Sequence, residues 1–281
     1  MSSTAPTISL EYFPPRTEKG AQGLAAARAE LKLLKPSYVS VTFGAGGSTQ
    51  DGTYATIKSI LEEDGVDAAP HISCISSSRR ELADMLEAYR DLGVKRLVAL
   101  RGDVPSGYGT MDAAELRYAN ELVAFIREQT GDHFRIEVAA YPETHPQARS
   151  AQDDLENFKR KVDAGADSAI TQYFFNPDAY YAFMDSCSKL GLDIPVIPGI
   201  MPITNYKQLA RFSDTCGAEI PRWIRKRLEG YGDDLASIRE FGFDVVLGLC
   251  EKLLDGGAPG LHFYSMNRTE PTRALWKALD L

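Results

Sequence analysis

Tyr38-Val-Ser-Val-Thr-Phe-Gly-Ala-Gly-Gly47, then a helical stretch from about Gly52 to Glu63, then His71-Ile-Ser-Cys-Ile75, is the run that decides the fold. β-Branched and aromatic residues crowd the two short segments, and a glycine turn divides the first from the helix. This strand–helix–strand unit sets its two strands parallel. Working outward, the unit repeats. Upstream, Ile8-Ser-Leu-Glu-Tyr-Phe13 is a strand stopped by Pro14-Pro15, and a helix from about Glu18 to Leu34 is closed by Pro36. Downstream, Leu82, Met85, Leu86 and Tyr89 mark a helix over about Arg79 to Leu92, and Arg96 to Leu100 is the fourth strand. Strands at Arg135–Ala140, Ser168–Phe174, Val196–Ile200 and Leu261–Tyr264 follow. Helices near Ala113–Gln129, Ala151–Ala164, Pro177–Leu190, across 205–254, and at Glu270–Leu279 separate or follow them. Eight units without a composition break predict one α/β domain over residues 1–281, a single (β/α)8 TIM barrel. An open doubly wound sheet usually has fewer strands and would carry a glycine fingerprint after one of them.

Composition narrows the partners. The net charge is −8, from 31 basic and 39 acidic residues, with no basic tail, which argues against a nucleic-acid binder. An anionic ligand must then be held by a few local cations or backbone amides. Cys74, Cys187, Cys216 and Cys250 stand far apart, so free thiols are expected rather than a metal site. Met1 to Thr7 is polar and no apolar run is long enough to span a bilayer, so a cytoplasmic protein with no membrane partner is expected.

In a barrel, chemistry sits at the C-terminal ends of the strands. Those positions here carry Glu11, Thr42, His71, Arg101-Gly-Asp103, Tyr141-Pro-Glu-Thr-His145, Gln172 and Asn267-Arg268. Glu11 lies in an apolar strand, where burial favours the protonated carboxyl and would make it a general acid near neutral pH. An ion pair with Arg16 or Arg101 is the structural alternative, and the residues alone do not choose. Arg101-Gly-Asp103 is either a surface turn or a ligand loop, in which Gly102 admits close backbone approach and Arg101 offers a bidentate fork. Gly44-Ala-Gly-Gly47 fits neither the dinucleotide fingerprint nor a phosphate-binding loop, which would need a lysine. His71 and His145 suit buried hydrogen-bonding histidines as well as active groups, and His133 and His262 receive no role. Asp154, Asn157, Arg160 and Lys161 share a helical face that is either salt-bridged surface or a pyrophosphate grip. Tyr206 reads equally as loop packing or a stacking platform.

Taken in order, these segments resemble the methylenetetrahydrofolate reductase family along nearly the whole chain. The likeness runs through Leu10-Glu-Tyr-Phe-Pro-Pro-Arg16, Val39-Ser-Val-Thr-Phe-Gly-Ala45, Ala69-Pro-His71, Leu100-Arg-Gly-Asp103 and Ala139-Ala-Tyr-Pro-Glu143. It continues in Lys159-Arg-Lys-Val-Asp-Ala-Gly-Ala166, Ile170-Thr-Gln-Tyr-Phe-Phe175, Ile197-Pro-Gly-Ile200 and His262-Phe-Tyr-Ser-Met-Asn-Arg268. The resemblance implies bound FAD without a dinucleotide fold, and NADH or NADPH as electron donor. It implies ping-pong reduction of 5,10-methylenetetrahydrofolate to 5-methyltetrahydrofolate, which feeds methionine synthesis. It assigns Glu11 as general acid and Asp103 as the carboxylate near flavin and pterin, with Gln172, Tyr206 and Arg268 on the substrate. FAD would be held by Thr42, His71, Arg101, Gly102, Asp103, Ala119, Tyr141, His145, Asp154, Asn157, Arg160 and Lys161. The loop before Ala119 differs in length from other members, and Tyr206 stands where a phenylalanine is common. A homo-oligomer is compatible with the resemblance. The rivals are a barrel aldolase or lyase, which would want a Schiff-base lysine or metal carboxylates, and a non-catalytic folate- or flavin-binding module.

Overall fold

The computed structural model describes residues 5–43, 47–75, 77–102 and 115–281. Nine strands are described: β1 (Thr7–Tyr12), β2 (Tyr38–Val41), β3 (Ala68–Ser73), β4 (Arg96–Leu100), β5 (Arg135–Ala140), β6 (Ser168–Thr171), β7 (Val196–Ile197), β8 (Gly199–Ile200) and β9 (Gly260–Tyr264). All pairings are parallel, in the order β7-β6-β5-β4-β3-β2-β1-β9-β8. Pro198 alone separates β7 from β8, so the two edges of the sheet are halves of one stave and the sheet closes. This is the expected (β/α)8 barrel.

The break in the seventh stave has a local cause. Proline has no N–H to give to a ladder, but the Pro198 carbonyl accepts the His262 N–H at 2.9 Å. Gly199 then passes so close to β6 that a Cβ would lie 2.2 Å from the Thr171 carbonyl oxygen. Its N–H donates to Thr171 Oγ1 at 2.8 Å.

Around the barrel run α1 (Glu18–Leu31), α2 (Gly47–Ser59), α3 (Arg79–Asp91), α4 (Ala119–Thr130), α5 (Ala151–Asp163), α6 (Pro177–Lys189), α7 (Tyr206–Cys216), α8 (Arg222–Tyr231), α9 (Leu235–Asp255) and α10 (Glu270–Ala278). Several start on side-chain caps that satisfy otherwise orphaned N–H groups. Ser78 forms a capping box with Glu81, Ser150 caps α5, and Asn176 caps α6 with Pro177 next to it.

Alternation along each strand divides the side chains. Leu10, Val39, Val41, Ile72, Leu97 and Ile136 join the main core between sheet and helices. Tyr38, Ala69, Val98 and Ile170 form a separate cluster, the filling of the barrel itself. The third strand therefore starts at Ala68, three residues before the expected His71. Ala68-Ala-Pro70 shows no β-branched signal, yet Ala69 must be small because the Tyr38 ring fills the space inside. The sixth strand ends at Thr171 rather than Phe174, and Tyr173, Phe174 and Phe175 leave it for buried positions.

Candidate active site

β1, β3 and β9 bring together three titratable groups on their inward faces. Glu11 Oε2 lies 3.3 Å from His71 Nε2 and 3.6 Å from His262 Nε2. Both imidazole nitrogens are buried and face the carboxylate at ion-pair distance, outside strict hydrogen-bond geometry. On its other side, His262 Nδ1 shares a hydrogen bond with Ser9 Oγ at 2.8 Å. Tyr264 closes the inner wall, its hydroxyl donating to the Thr171 carbonyl at 2.7 Å.

Burial pushes the Glu11 carboxyl up, but the His262 and His71 imidazoles together outweigh it and hold the group at about 2. This corrects the expectation of a carboxyl raised towards neutrality. The described neighbours of Glu11 are two histidines rather than the Arg16 or Arg101 of the ion-pair alternative, and the sequence alone assigns His262 no role. The missed signal was parity. His262 pairs in register with Ser9 of β1, and two residues further along each strand stand Glu11 and Tyr264.

A second group joins the ends of β4 and β5 to α5. Arg101 Nη2 donates to Gln147 Oε1 at 2.6 Å, and the Gln147 N–H donates to His145 Nδ1 at 3.0 Å. His145 sits edge-on to Tyr141, with centroids 4.5 Å apart, and its backbone N–H donates to Asp154 at 2.7 Å. Lys161 Nζ donates to the Ala139 carbonyl at 2.5 Å. Burial lowers the Lys161 ammonium to about 8, against a partial upward pull from Asp154. Arg160 donates to Asn157 on the same helix. Gly102 has φ 86°, and a Cβ there would lie 1.9 Å from Ser73 Oγ, so glycine is required by packing as well as by conformation. Thr42 follows β2 and is half-buried. Asp103 and Gly44 to Gly46 lie outside the described residues, as does the segment 104–114 that leads towards Ala119, the first residue of α4.

Of the substrate-side expectations, Gln172 stays at the mouth, its N–H donating to the Ala140 carbonyl at 2.8 Å. Tyr206 opens α7, and its hydroxyl donates to Glu229 of α8 at 3.3 Å, which ties it to a neighbouring helix rather than to the Glu11 cluster. Arg268 is exposed beyond β9. With Arg239 it borders a cleft of about 750 Å³ whose walls include Ile203, Phe243, Val246 and Leu275. The cleft lies over the loops after the last two barrel staves, a frequent ligand position in this architecture.

A closed parallel barrel with an acid flanked by two imidazoles at its C-terminal mouth is the framework of a barrel enzyme. The model of the family described as methylenetetrahydrofolate reductase matches residues 1–280. The 5,10-methylenetetrahydrofolate reductases of Salmonella typhimurium and Escherichia coli are each 42% identical over 274 residues, covering 98% of this chain and 90% of theirs. A maize protein named methylenetetrahydrofolate reductase (NADH) 1 is 36% identical over 92% of this chain and 46% of its own length. Among solved structures, an uncharacterised Clostridium thermocellum protein described as binding two copies of 5-methyltetrahydrofolic acid superposes with a TM-score of 0.66 at 17% identity. That match covers 98% of this chain and 95% of the other, and at this identity it speaks for the fold. The chain belongs to the methylenetetrahydrofolate reductase family of oxidoreductases.

Proposed function

We propose that this protein reduces 5,10-methylenetetrahydrofolate to 5-methyltetrahydrofolate, with FAD bound at the barrel mouth and NADH or NADPH as donor. The observation that carries the reading is the Glu11 carboxylate between His71 and His262, at the end where barrel enzymes work. Opening the methylene bridge requires a proton at a folate nitrogen, and this cluster can hold one. A stacked substrate would exclude water from the mouth, which favours the neutral carboxyl, and Glu11 Oε2 would then deliver the proton to the folate nitrogen.

The residues present fit the flavin. Arg101 and Lys161 supply cations beside the mouth in an acidic protein, suited to a pyrophosphate. FAD bound there would supply the hydride relay between nicotinamide and folate. Arg101, Tyr141, His145, Asp154, Asn157, Arg160 and Lys161 would hold it, with Thr42, Gly102, Asp103 and Ala119 nearer the β2 and β4 loops. Gln172 would orient the pterin. The aryl-glutamate tail suits the apolar cleft with Arg268 and Arg239 at its rim. The Tyr206 ring, at the start of α7, would contact the substrate from that side while its hydroxyl stays on Glu229.

The two half-reactions, followed separately by flavin absorbance in a stopped-flow instrument with each nicotinamide, test this. Glu11→Gln should slow folate reduction by about 10³-fold or more, within the range general acids supply, while flavin reduction by NADH suffers far less. Equal loss in both half-reactions, or loss in neither, would remove Glu11 from its role.

A further inference from the structure

β1 and β9 pair in register as far as Glu11 opposite Tyr264, and there the backbone ladder stops. Side chains of the following turn continue it. Ser265 Oγ donates to the Glu11 carbonyl at 2.5 Å. Asn267 then grips the next exposed peptide from both sides, accepting the Phe13 N–H at 3.1 Å and donating to the Phe13 carbonyl at 2.9 Å. To do so, Met266 and Asn267 both adopt φ 53°, a left-handed conformation that asparagine tolerates and methionine does not favour. The Asn267 N–H in turn donates to Ser265 Oγ at 3.2 Å.

This clamp holds a residue whose ring is not needed by the core. Phe13 is 41% exposed, whereas Leu10 and Tyr12 on the same strand are 0% and 2% exposed. A single exposed phenylalanine is ordinary on a protein surface. One whose backbone is fixed by two hydrogen bonds from a left-handed turn, two residues beyond the acid, is not explained by packing. Strand alternation carries it to the same side as Glu11, and local strain kept at a mouth of this kind points to function rather than stability.

We infer that Phe13 is a substrate-contacting residue: its ring forms one wall of the slot in which the pterin stacks beside Glu11, and Ser265 and Asn267 are positioning residues that hold that wall. The inference rests on the folate-reductase reading above and adds to it the surface that sets the height of the reacting ring over the acid. An offset-stacked pair of this kind is a modest contact, and its loss changes binding by about tenfold.

The test uses the FAD-loaded full chain and the folate half-reaction. Phe13→Ala should raise the methylenetetrahydrofolate concentration for half-maximal rate by about tenfold, with a much smaller change in the limiting rate. Phe13→Tyr should restore it and Phe13→Leu should not, a difference that bulk alone would not produce. Asn267→Gly, which keeps the left-handed turn but removes the clamp, should shift the same constant in the same direction. A wild-type protein that reduces no folate would defeat the underlying reading, and the slot with it. An active wild type with Phe13→Ala within twofold of it, or with Leu as good as Tyr, would overturn the stacking role alone. Asn267→Gly behaving as wild type would overturn the positioning role.

Discussion

At the scale of single residues, environment redirects side chains whose identity the sequence displays openly. Lys161 is a clear case. Its ammonium donates to the Ala139 carbonyl in a half-buried position, and desolvation brings it down to about 8. If it grips the FAD pyrophosphate, binding demands the charged form. Below pH 8 the ammonium is already protonated and binding needs no proton uptake. Above it, each complex must take up a proton, so affinity should weaken as pH rises beyond 8. Titrations of the apoprotein with FAD between pH 7 and pH 9.5 check this. Lys161→Gln should bind more weakly at pH 7 and lose the slope, and an unchanged slope in that variant would place the titrating group elsewhere. Glu11, which reads from its strand as either a raised carboxyl or an ion-paired one, is held low by two histidines. Its strand announced a buried carboxyl, but no spacing along that strand reports what stands on β3 and β9.

At the scale of elements, periodicity with proline and glycine breaks made most helices and strands legible to within a few residues, with the starts of α2 and α4 five and six residues from expectation. The misses among the strands have steric origins. The third stave begins on Ala68-Ala-Pro70 because the filling around Tyr38 leaves room only for small residues, and small residues carry no strand signal. The seventh stave splits because Pro198 cannot donate and Gly199 must pass against Thr171. That contact invites a direct test. Gly199→Ala would force a methyl into the Thr171 carbonyl and the Tyr264 ring, and overpacking of this sort costs about 3 kcal/mol. Urea denaturation should show the loss in the midpoint with the slope little changed. A variant as stable as the parent would mean that the stave can shift without penalty. The α5 face that reads as either surface or pyrophosphate grip now has its elements placed, since Asp154 reaches the His145 backbone and Lys161 reaches β5.

At the scale of the whole molecule, closure of the barrel is what turns scattered residues into a site. Glu11, His71 and His262 come from the first, third and last staves, and their attraction pins those staves together at one end. The contribution should depend on pH with a definite sign. The Glu11 carboxyl is held at about 2, below its ordinary 4.5, so the folded state binds fewer protons than the unfolded one between these values. The associated stability is present above about pH 4.5 and is lost as pH falls towards 2. Wild-type apoprotein should therefore lose more stability between pH 6 and pH 3 than Glu11→Gln does. Parallel losses in the two proteins would show that other groups dominate acid unfolding.

From the chain of amino acids alone came the eightfold strand–helix order, the end of the barrel where polar residues gather, and the family likeness with its folate chemistry. These are local or serial properties, written in hydrophobic period, turn chemistry and motif order. Tertiary structure alone decided that His262 and Ser9 stand behind Glu11, that two imidazoles hold the carboxyl low, and that Asn267 reaches back to hold Phe13 more than 250 residues away. Such facts depend on which inward faces meet when the sheet closes, and distance along the chain carries no record of distance across a barrel.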